Sequence, residues 1–383
     1  MLYEIANRFP QDMIFKEDGP LISLYQPTHK SFPDNKQDTI VFKNLLRVIE
    51  TSLKQIATDD LTDSIMKPFY ELKEDTAFWS NTSEGIAVLA SQNKCIVFIL
   101  HNPVKEFAVV ANSFHIKPLI KAFQSTENHQ LLGLSRENFT LYQGNRYGFE
   151  EIVVKKGTPR TMKEVLGDQL SESYLSHGSY AGSGGPTMYH GHGDVKHEID
   201  KDTEKYFRYV DSYVFENYSK TSKLPLILVS LTEYHSEFKR LSNNPYLLEE
   251  GINKSIDSLD LDEIQNRAGS IIEAINMEKI QKLAESYAES ESKSLGSSDL
   301  EQVAKAAYES RVETILIEED IIVPGKIEEK TGKVKLGDID SPDCDDILDD
   351  LAELVLSGGG TVFVLPKEKM PGTTGIAAIF RYS

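Results

Sequence analysis

Cysteine is scarce in this chain, and a long hydrophobic run is missing. The two cysteines, Cys95 and Cys344, lie far apart in sequence, and no CxxC spacing suggests a zinc or redox site. We interpret both as buried or incidental thiols. No segment approaches the roughly 20 apolar residues of a membrane span, and residues 1–15 contain charged side chains instead of the apolar core of a signal peptide. We therefore expect a cytoplasmic protein with no membrane partner.

Positive charge is also in deficit. The chain has 41 Lys and Arg against 60 Asp and Glu, which gives a formal net charge of -19. Affinity for naked nucleic acid comes largely from Lys and Arg that release counterions, so this balance argues against non-specific binding of DNA or RNA. A local basic surface that docks into a large RNA machine remains compatible with it.

The length and the apolar pattern together indicate a mixed α/β protein of several domains. A chain of 383 residues is too long for one ordinary core. Apolar runs predict strands and 3.6-residue spacing predicts helices. The predicted strands are 21–26, 85–90, 95–100, 107–111, 131–135, 138–142, 151–154, 226–231, 312–317, 361–365 and 375–380. The predicted helices are 37–56, 61–72, 199–218, 264–280, 300–308 and 347–356. We divide the chain into domains 1–113, 114–245 and 246–383.

A glycine-rich loop at residues 176–193 is the most unusual segment. Residues 155–193 show no clear apolar period, and the last part contains six glycines. A loop of that length is usually functional or disordered. Glycine gives its backbone close access to a partner but makes it costly to order, so we expect ordering on binding. Asp194 is a reasonable N-cap for the strong helical pattern that follows.

Histidines in and after this loop allow two kinds of chemistry. Four of the nine histidines lie between residues 177 and 197, and the pattern His190-x-His192-x-Asp194-x-x-His197 offers ligands to a divalent metal. A metal-dependent hydrolase is therefore one hypothesis. However, the spacing is not that of a common zinc motif, and histidines in such a loop also stack on RNA and contact phosphate. We assign no metal and no cofactor, and no catalytic triad can be assembled.

An acidic, turn-rich segment covers residues 318–350. Its aspartates lack the glycine and glutamate placement of an EF-hand, so we interpret them as a solvated insertion; they include Asp343, Asp345, Asp346, Asp349 and Asp350. A non-catalytic adaptor that binds a protein through this acidic third domain is a further hypothesis.

Short motifs in a fixed order carry a family resemblance. They are Leu24–His29, Lys43–Leu46, Phe114–Leu119, Gly359–Val362 and Gly375–Tyr382. Together they resemble the bacterial archaeo-eukaryotic release factor family, in particular its family 3, which is related to archaeo-eukaryotic class I release factors and Pelota. The resemblance implies three domains: the middle one is RNase H-like and of release-factor type, and the C-terminal one is a ribosomal-protein-like α/β/α sandwich.

The resemblance also implies a site. Release factors carry a Gly-Gly-Gln loop before a long helix, and that loop promotes hydrolysis of peptidyl-tRNA. Here Gly184-Gly185 has the similar place, with Pro186 where glutamine would be. Proline has no backbone N–H and no side-chain amide, so we expect much of the hydrolytic activity to be lost unless another loop residue, such as Thr187 or His190, substitutes.

The implied partners are the ribosome, through rRNA and the tRNA acceptor end, and a translational GTPase. No stop-codon motif is evident in the first domain, so ribosome rescue or quality control fits better than codon-specific termination. The expected catalytic residues are Gly184, Gly185, Pro186, Thr187 and His190. The expected RNA-binding residues are His177, His192, Lys196, His197 and Lys205.

Overall fold

The helices and strands of the described residues pack into two compact units. Unit 1 consists of Met1–Thr126 and Glu278–Ser383, and unit 2 consists of Glu127–Met277. The computed structural model describes residues 2–17, 19–30, 33–124, 128–145, 148–170, 192–328, 331–337 and 345–382, and it describes residues 192–196 without their side chains.

The elements are numbered here in chain order. The strands are β1 Glu4–Ile5, β2 Leu21–Pro27, β3 Gly85–Ala90, β4 Cys95–Leu100, β5 Phe107–Ala111, β6 His129–Leu134, β7 Phe139–Asn145, β8 Gly148–Glu151, β9 Leu226–Val229, β10 Gly296–Ser297, β11 Val312–Glu318, β12 Pro324–Ile327, β13 Val334–Leu336, β14 Asp345–Asp346, β15 Thr361–Leu365 and β16 Ile376–Phe380. The helices are α1 Asp38–Ile56, α2 Asp59–Glu74, α3 Thr76–Trp79, α4 Lys117–Gln124, α5 Met162–Leu166, α6 His192–Val214, α7 Lys220–Ser222, α8 Thr232–Leu241, α9 Leu261–Ser292, α10 Leu300–Tyr308 and α11 Ile347–Ser357.

The N-terminal part of unit 1 is a five-stranded sheet in the order β1-β4-β3-β2-β5. Alternate residues of its strands point to opposite faces. On one face Ile22, Leu24 and Val88 pack against α1 and α2. On the other face Ala87 and Phe98 belong to a core that continues into the C-terminal part of the same unit.

The C-terminal part of unit 1 has a four-stranded sheet in the order β10-β16-β11-β15, in which β11 and β15 are parallel. Ile315 and Ile317 face the side covered by α10 and α11. Leu316 packs on the opposite side with Tyr287 from the end of α9. These three layers confirm the predicted α/β/α arrangement. Strands β13-β12-β14 form a small additional sheet.

Unit 2 is built on the sheet β8-β7-β6-β9, whose β6 and β9 run parallel. Leu132 and Leu228 face the layer that contains α5, α6 and α8. Their neighbours Leu131 and Ile227 face the first half of α9. The continuous apolar run of β9 is explained by this burial on both faces.

Several elements differ from those predicted. Strand β8 ends at Glu151, where the sequence predicts a strand over 151–154. The stretch predicted to lack periodicity contains α5, which begins with a capping box formed by Thr161 and Glu164. Helix α8 and the strands β12, β13 and β14 were also not predicted. The division into three domains stays a prediction, since the two compact units begin and end at other residues.

The predictions about the cysteines and about membrane-spanning segments can be compared with the structure. Cys95 is buried, and burial raises the pKa of its thiol to about 12, as expected for an unreactive structural cysteine. Cys344 lies outside the described residues. No helix in the described part of the chain is long and apolar enough to cross a membrane.

Candidate functional site

Most of the predicted site residues lie outside the part of the chain that the structure describes. These are His177, Gly184, Gly185, Pro186, Thr187 and His190. His192 and Lys196 belong to the first turns of α6, where the backbone alone is described. His197 and Lys205 are described with their side chains. The site can therefore be built from α6 and its surroundings.

Helix α6 is held in unit 2 by its apolar face. Tyr206, Phe207 and Val210 are fully buried. The Tyr206 hydroxyl donates to the carbonyl of Arg160 at 2.7 Å. Phe207 packs edge-on against Phe238 of α8, with ring centroids 5.7 Å apart. These buried contacts determine which side of α6 faces solvent.

The solvent side of α6 carries a row of basic side chains. His197, Lys201, Lys205 and Arg208 are all exposed. They follow one another at steps of four, four and three residues, which places them on one face of a helix. We call these four residues the basic face of α6. His197 and Lys205 were predicted as RNA-binding residues. Lys201 and Arg208 lie on the same face and were not assigned a role from the sequence.

Two cations of the basic face are paired within the helix. Arg208 Nη2 lies 2.9 Å from Glu204 Oε1, and Lys205 Nζ lies 3.7 Å from Asp202 Oδ1. Among the described side chains, none forms an ion pair with Lys201. Arg208 and Glu204 form a solvent-accessible pair four residues apart, which contributes about 0.3–0.5 kcal/mol, so exchanging it for a phosphate contact costs little. In the other pair, Asp202 is itself buried.

A second charged cluster lies within unit 1 and connects distant parts of the chain. Residues 105–121 supply the basic side chains and a serine, and the described residues between 319 and 353 supply the acids; we call these two segments together the joint. Its pairs are Lys105 with Asp320 at 2.5 Å, Lys121 with Glu319, Lys117 with Asp346, and His115 with Asp349. In all four pairs the lysine or histidine side chain lies on the first segment and the acid on the second, and the three lysine pairs make the two segments complementary in charge.

Lys117 and Asp346 form the most buried pair of the joint. Their side chains are 3% and 4% exposed. Lys117 Nζ also donates to the carbonyl of Ile321 at 2.7 Å. Asp346 Oδ1 accepts from the backbone N–H of Val323 at 3.0 Å and of Leu348 at 3.1 Å. Burial raises the pKa of Asp346, and Lys117 opposes this rise. The pair is thus desolvated but well hydrogen-bonded, as a stable buried pair requires.

Asp349 connects α11 to the start of α4. Its Oδ1 accepts the backbone N–H of Ile116 at 2.9 Å and of Lys117 at 2.8 Å. Its Oδ2 contacts Nδ1 of His115. A carboxylate at this position satisfies free N–H groups at a helix N-terminus. Asp349 therefore stabilises α4 from a residue more than 200 positions away in sequence.

His115, Asp346 and Asp349 place ligand-type atoms within 4.8 Å of one another. One imidazole and two carboxylates suit a divalent metal. However, Asp346 already bonds to the Lys117 ammonium, and Asp349 Oδ1 accepts two backbone N–H groups. The positive charge that a metal would supply is thus provided by the chain, and we interpret the cluster as a charge network of the joint.

A cleft of about 590 Å³ lies beside the joint. Apolar side chains of the loop before β5, of α4 and of the turn after β11 form its walls, and the His115 ring lies 4.7 Å from the Phe107 ring between centroids. The volume is in the range of small-ligand sites. The three lysines that line it each contact an acid of the joint, so their charges are already compensated.

The interpretation of the acidic segment as solvated is wrong for Asp346 and Asp349. These side chains are 3% and 1% exposed. Asp346 caps α11 by accepting the N–H of Leu348, and the spacing of Asp346, Asp349, Asp350 and Glu353 places them near one face of that helix. This helical spacing was a usable signal, but the facing segment lies too far away in sequence to be recognised. Asp343 lies outside the described residues.

The protein is a mixed α/β protein with several sheets, as predicted. The basic face of α6 follows the glycine-rich segment in sequence. Residues 128–311 match the family model of bacterial archaeo-eukaryotic release factor family 3, a segment of just under half the chain. The predicted resemblance to this family is thereby confirmed, by a segment that lies outside the short motifs that first suggested it. The matched segment includes the 176–193 loop and α6.

Solved structures of release-factor-like proteins were also compared. The archaeal translation termination factor aRF1 shows 14% identity and a TM-score of 0.23, with 96% of this chain and 94% of that chain covered. Ribosome-bound archaeal Pelota with ABCE1 shows 12% identity and a TM-score of 0.42, covering 76% and 72%. Dom34 of S. cerevisiae shows 14% identity and a TM-score of 0.36, covering 78% and 75%. All three scores are below 0.5, so we base no argument on them. No curated protein matches the chain.

Proposed function

We propose that this protein is a release-factor-like factor that acts on the ribosome during rescue, quality control or termination of translation. The observation that carries the proposal is the family-model match over residues 128–311, which covers the loop and the helix behind it. In this proposal the 176–193 loop reaches rRNA or the tRNA acceptor end. A cytoplasmic location and a translational GTPase as partner are parts of the same proposal.

The basic face of α6 supports contact with RNA in spite of the acidic whole. His197, Lys201, Lys205 and Arg208 form a local row of basic side chains on a chain with a net charge of -19, and two of them pair with acids of the same helix. Phosphate contacts position a protein on nucleic acid without reading its sequence. The acidic remainder suppresses binding to free RNA. This combination suits a factor that engages one large RNA assembly.

Peptidyl-tRNA hydrolysis is a weaker part of the proposal. Pro186 follows Gly184-Gly185 and lacks a backbone N–H. Loss of one donor to a developing oxyanion typically lowers a rate by about 10²–10³. We therefore propose binding as the primary activity, with Thr187 and His190 as the groups that could support a slow hydrolysis.

Ribosome co-sedimentation tests the proposed function. We expect the protein to migrate with stalled ribosomes in a sucrose gradient. A variant in which residues 177–191 are replaced by a Gly-Ser linker of equal length should lose this association while keeping its melting temperature. Wild-type protein that remains at the top of the gradient would refute the proposal. Unchanged binding of the linker variant would refute the role of the loop and favour an adaptor.

A further inference from the structure

One serine of the joint contacts two carboxyl groups at once. Ser113 Oγ lies 2.9 Å from Asp345 Oδ2 and 2.8 Å from Asp350 Oδ1. A serine hydroxyl has one hydrogen and can donate it to one acceptor. The other contact is a hydrogen bond when that carboxyl group is itself protonated and donates to the serine oxygen. The geometry thus calls for one proton more than ionised aspartates provide.

We propose that Asp345, Ser113 and Asp350 hold one proton between them, and that its release weakens the joint of unit 1. With the proton present, Ser113 accepts from one carboxyl group and donates to the other. Without it, two carboxylates compete for one hydrogen and repel each other at short range. Protonation therefore controls how firmly the two segments hold together.

The charges around this group are mostly negative. Asp349, Asp346 and Glu353 lie on the same side of α11, and the nearest buried cation, Lys117, is bonded to Asp346. On the facing segment, the titratable His115 ring contacts Asp349. The other charged side chains on described elements packed against α11 are Asp12, Glu301, Lys305, Glu313, Glu318 and Lys326. No described cation contacts Asp345 or Asp350.

The direction of the pH effect follows from this environment. Burial, together with the neighbouring acids, raises the pKa of Asp350 to about 7, although the hydrogen bond from Ser113 opposes the rise. Burial and the neighbouring acids raise the pKa of Glu353 to about 7 as well. A carboxyl group with a raised folded-state pKa contributes stability at low pH, and this contribution is lost as the pH rises. The loss begins near the ordinary aspartate pKa of about 4 and is complete slightly above pH 7.

Substituting asparagine for aspartate supplies the shared proton permanently. In Asp350→Asn the side-chain amide donates to Ser113, which donates to Asp345, at every pH. We expect this variant to melt roughly 5 °C above wild type at pH 8, with a smaller difference at pH 5. At pH 8 the amides of Ile116 and Lys117, which donate to Asp349, should exchange hydrogen more slowly than in wild type. Asp345→Asn should act in the same direction.

Direct titration keeps the proposal testable if a variant folds poorly. In wild-type protein labelled with ¹³C at aspartate carboxyl carbons, one signal should titrate near pH 7 and disappear in Asp350→Asn or Asp345→Asn. Asp63→Asn, at an exposed position on α2, serves as the control and should leave that signal and the melting temperature unchanged. The proposal is overturned if every aspartate carboxyl titrates below pH 5, or if Asp350→Asn is no more stable than Asp63→Asn at pH 8.

Discussion

Lys117 is the residue on which the joint depends most. Its ammonium group is buried with the carboxylate of Asp346 and bonds the carbonyl of Ile321 as well. Desolvating such a pair costs several kcal/mol per ion, and attraction between the partners compensates for it. Removing one partner leaves the other as an uncompensated buried charge.

Lys117→Met should therefore destabilise the protein by about 3–5 kcal/mol, because it leaves Asp346 buried without a cation. Urea unfolding measures this change. The double variant Lys117→Met/Asp346→Asn removes both charges and should be more stable than Lys117→Met alone, since the asparagine oxygen can still accept the N–H of Leu348. If the double variant loses as much stability as the sum of the two single variants, the charge pairing is not what stabilises this contact.

At the scale of elements, α6 is the part of the structure that connects the proposed function to measurable chemistry. Its apolar side is packed against α8, and its basic face points to solvent. Each phosphate contact that a lysine makes adds roughly one unit to the salt dependence of binding.

Lys201→Gln/Lys205→Gln should weaken ribosome binding by about tenfold and reduce the slope of log affinity against log salt by roughly two. Both substitutions replace an exposed charged side chain by a neutral polar one, so folding should be little affected apart from the loss of the 3.7 Å contact between Lys205 and Asp202. Binding is measured by sedimentation over a series of salt concentrations. The control Lys155→Gln/Lys156→Gln removes two exposed charges of the same unit elsewhere. Equal effects of the two pairs would contradict a specific role for the basic face.

Elements with a strong local pattern could be predicted from the sequence. The strands 85–90, 95–100, 107–111 and 361–365 and the helix 300–308 were predicted with the bounds that the structure has. These strands are short apolar runs, and α10 is an amphipathic helix capped by Asp299. Strands β12–β14 were missed because they are only two to four residues long. Helix α8 was missed although Tyr234, Phe238 and Leu241 follow helical spacing.

The candidate site was predictable only in part, for a physical reason. His197 and Lys205 follow from helical spacing, which is a local property. The joint depends on contacts such as that of Ser113 with Asp350, more than 200 residues apart. Which distant segments meet is decided by the packing of whole sheets, so the helical spacing of the aspartates could not reveal which segment covers them.

At the scale of the whole molecule, the distribution of charge argues against non-specific RNA binding and is compatible with binding in one orientation. A net charge of -19 disfavours free RNA, and the basic face of α6 favours contact when the protein is held in one orientation. The central claim is that the 176–193 loop, adjacent to α6, approaches the tRNA acceptor end.

Photo-cross-linking from the loop tests that claim most directly. A photoreactive amino acid at Thr187 should cross-link to the tRNA acceptor end or to rRNA when the protein is bound to stalled ribosomes. The same amino acid at Asp63 should give no tRNA cross-link. Cross-links from position 187 that reach protein alone, or none at all on ribosomes that carry the bound protein, would contradict the account.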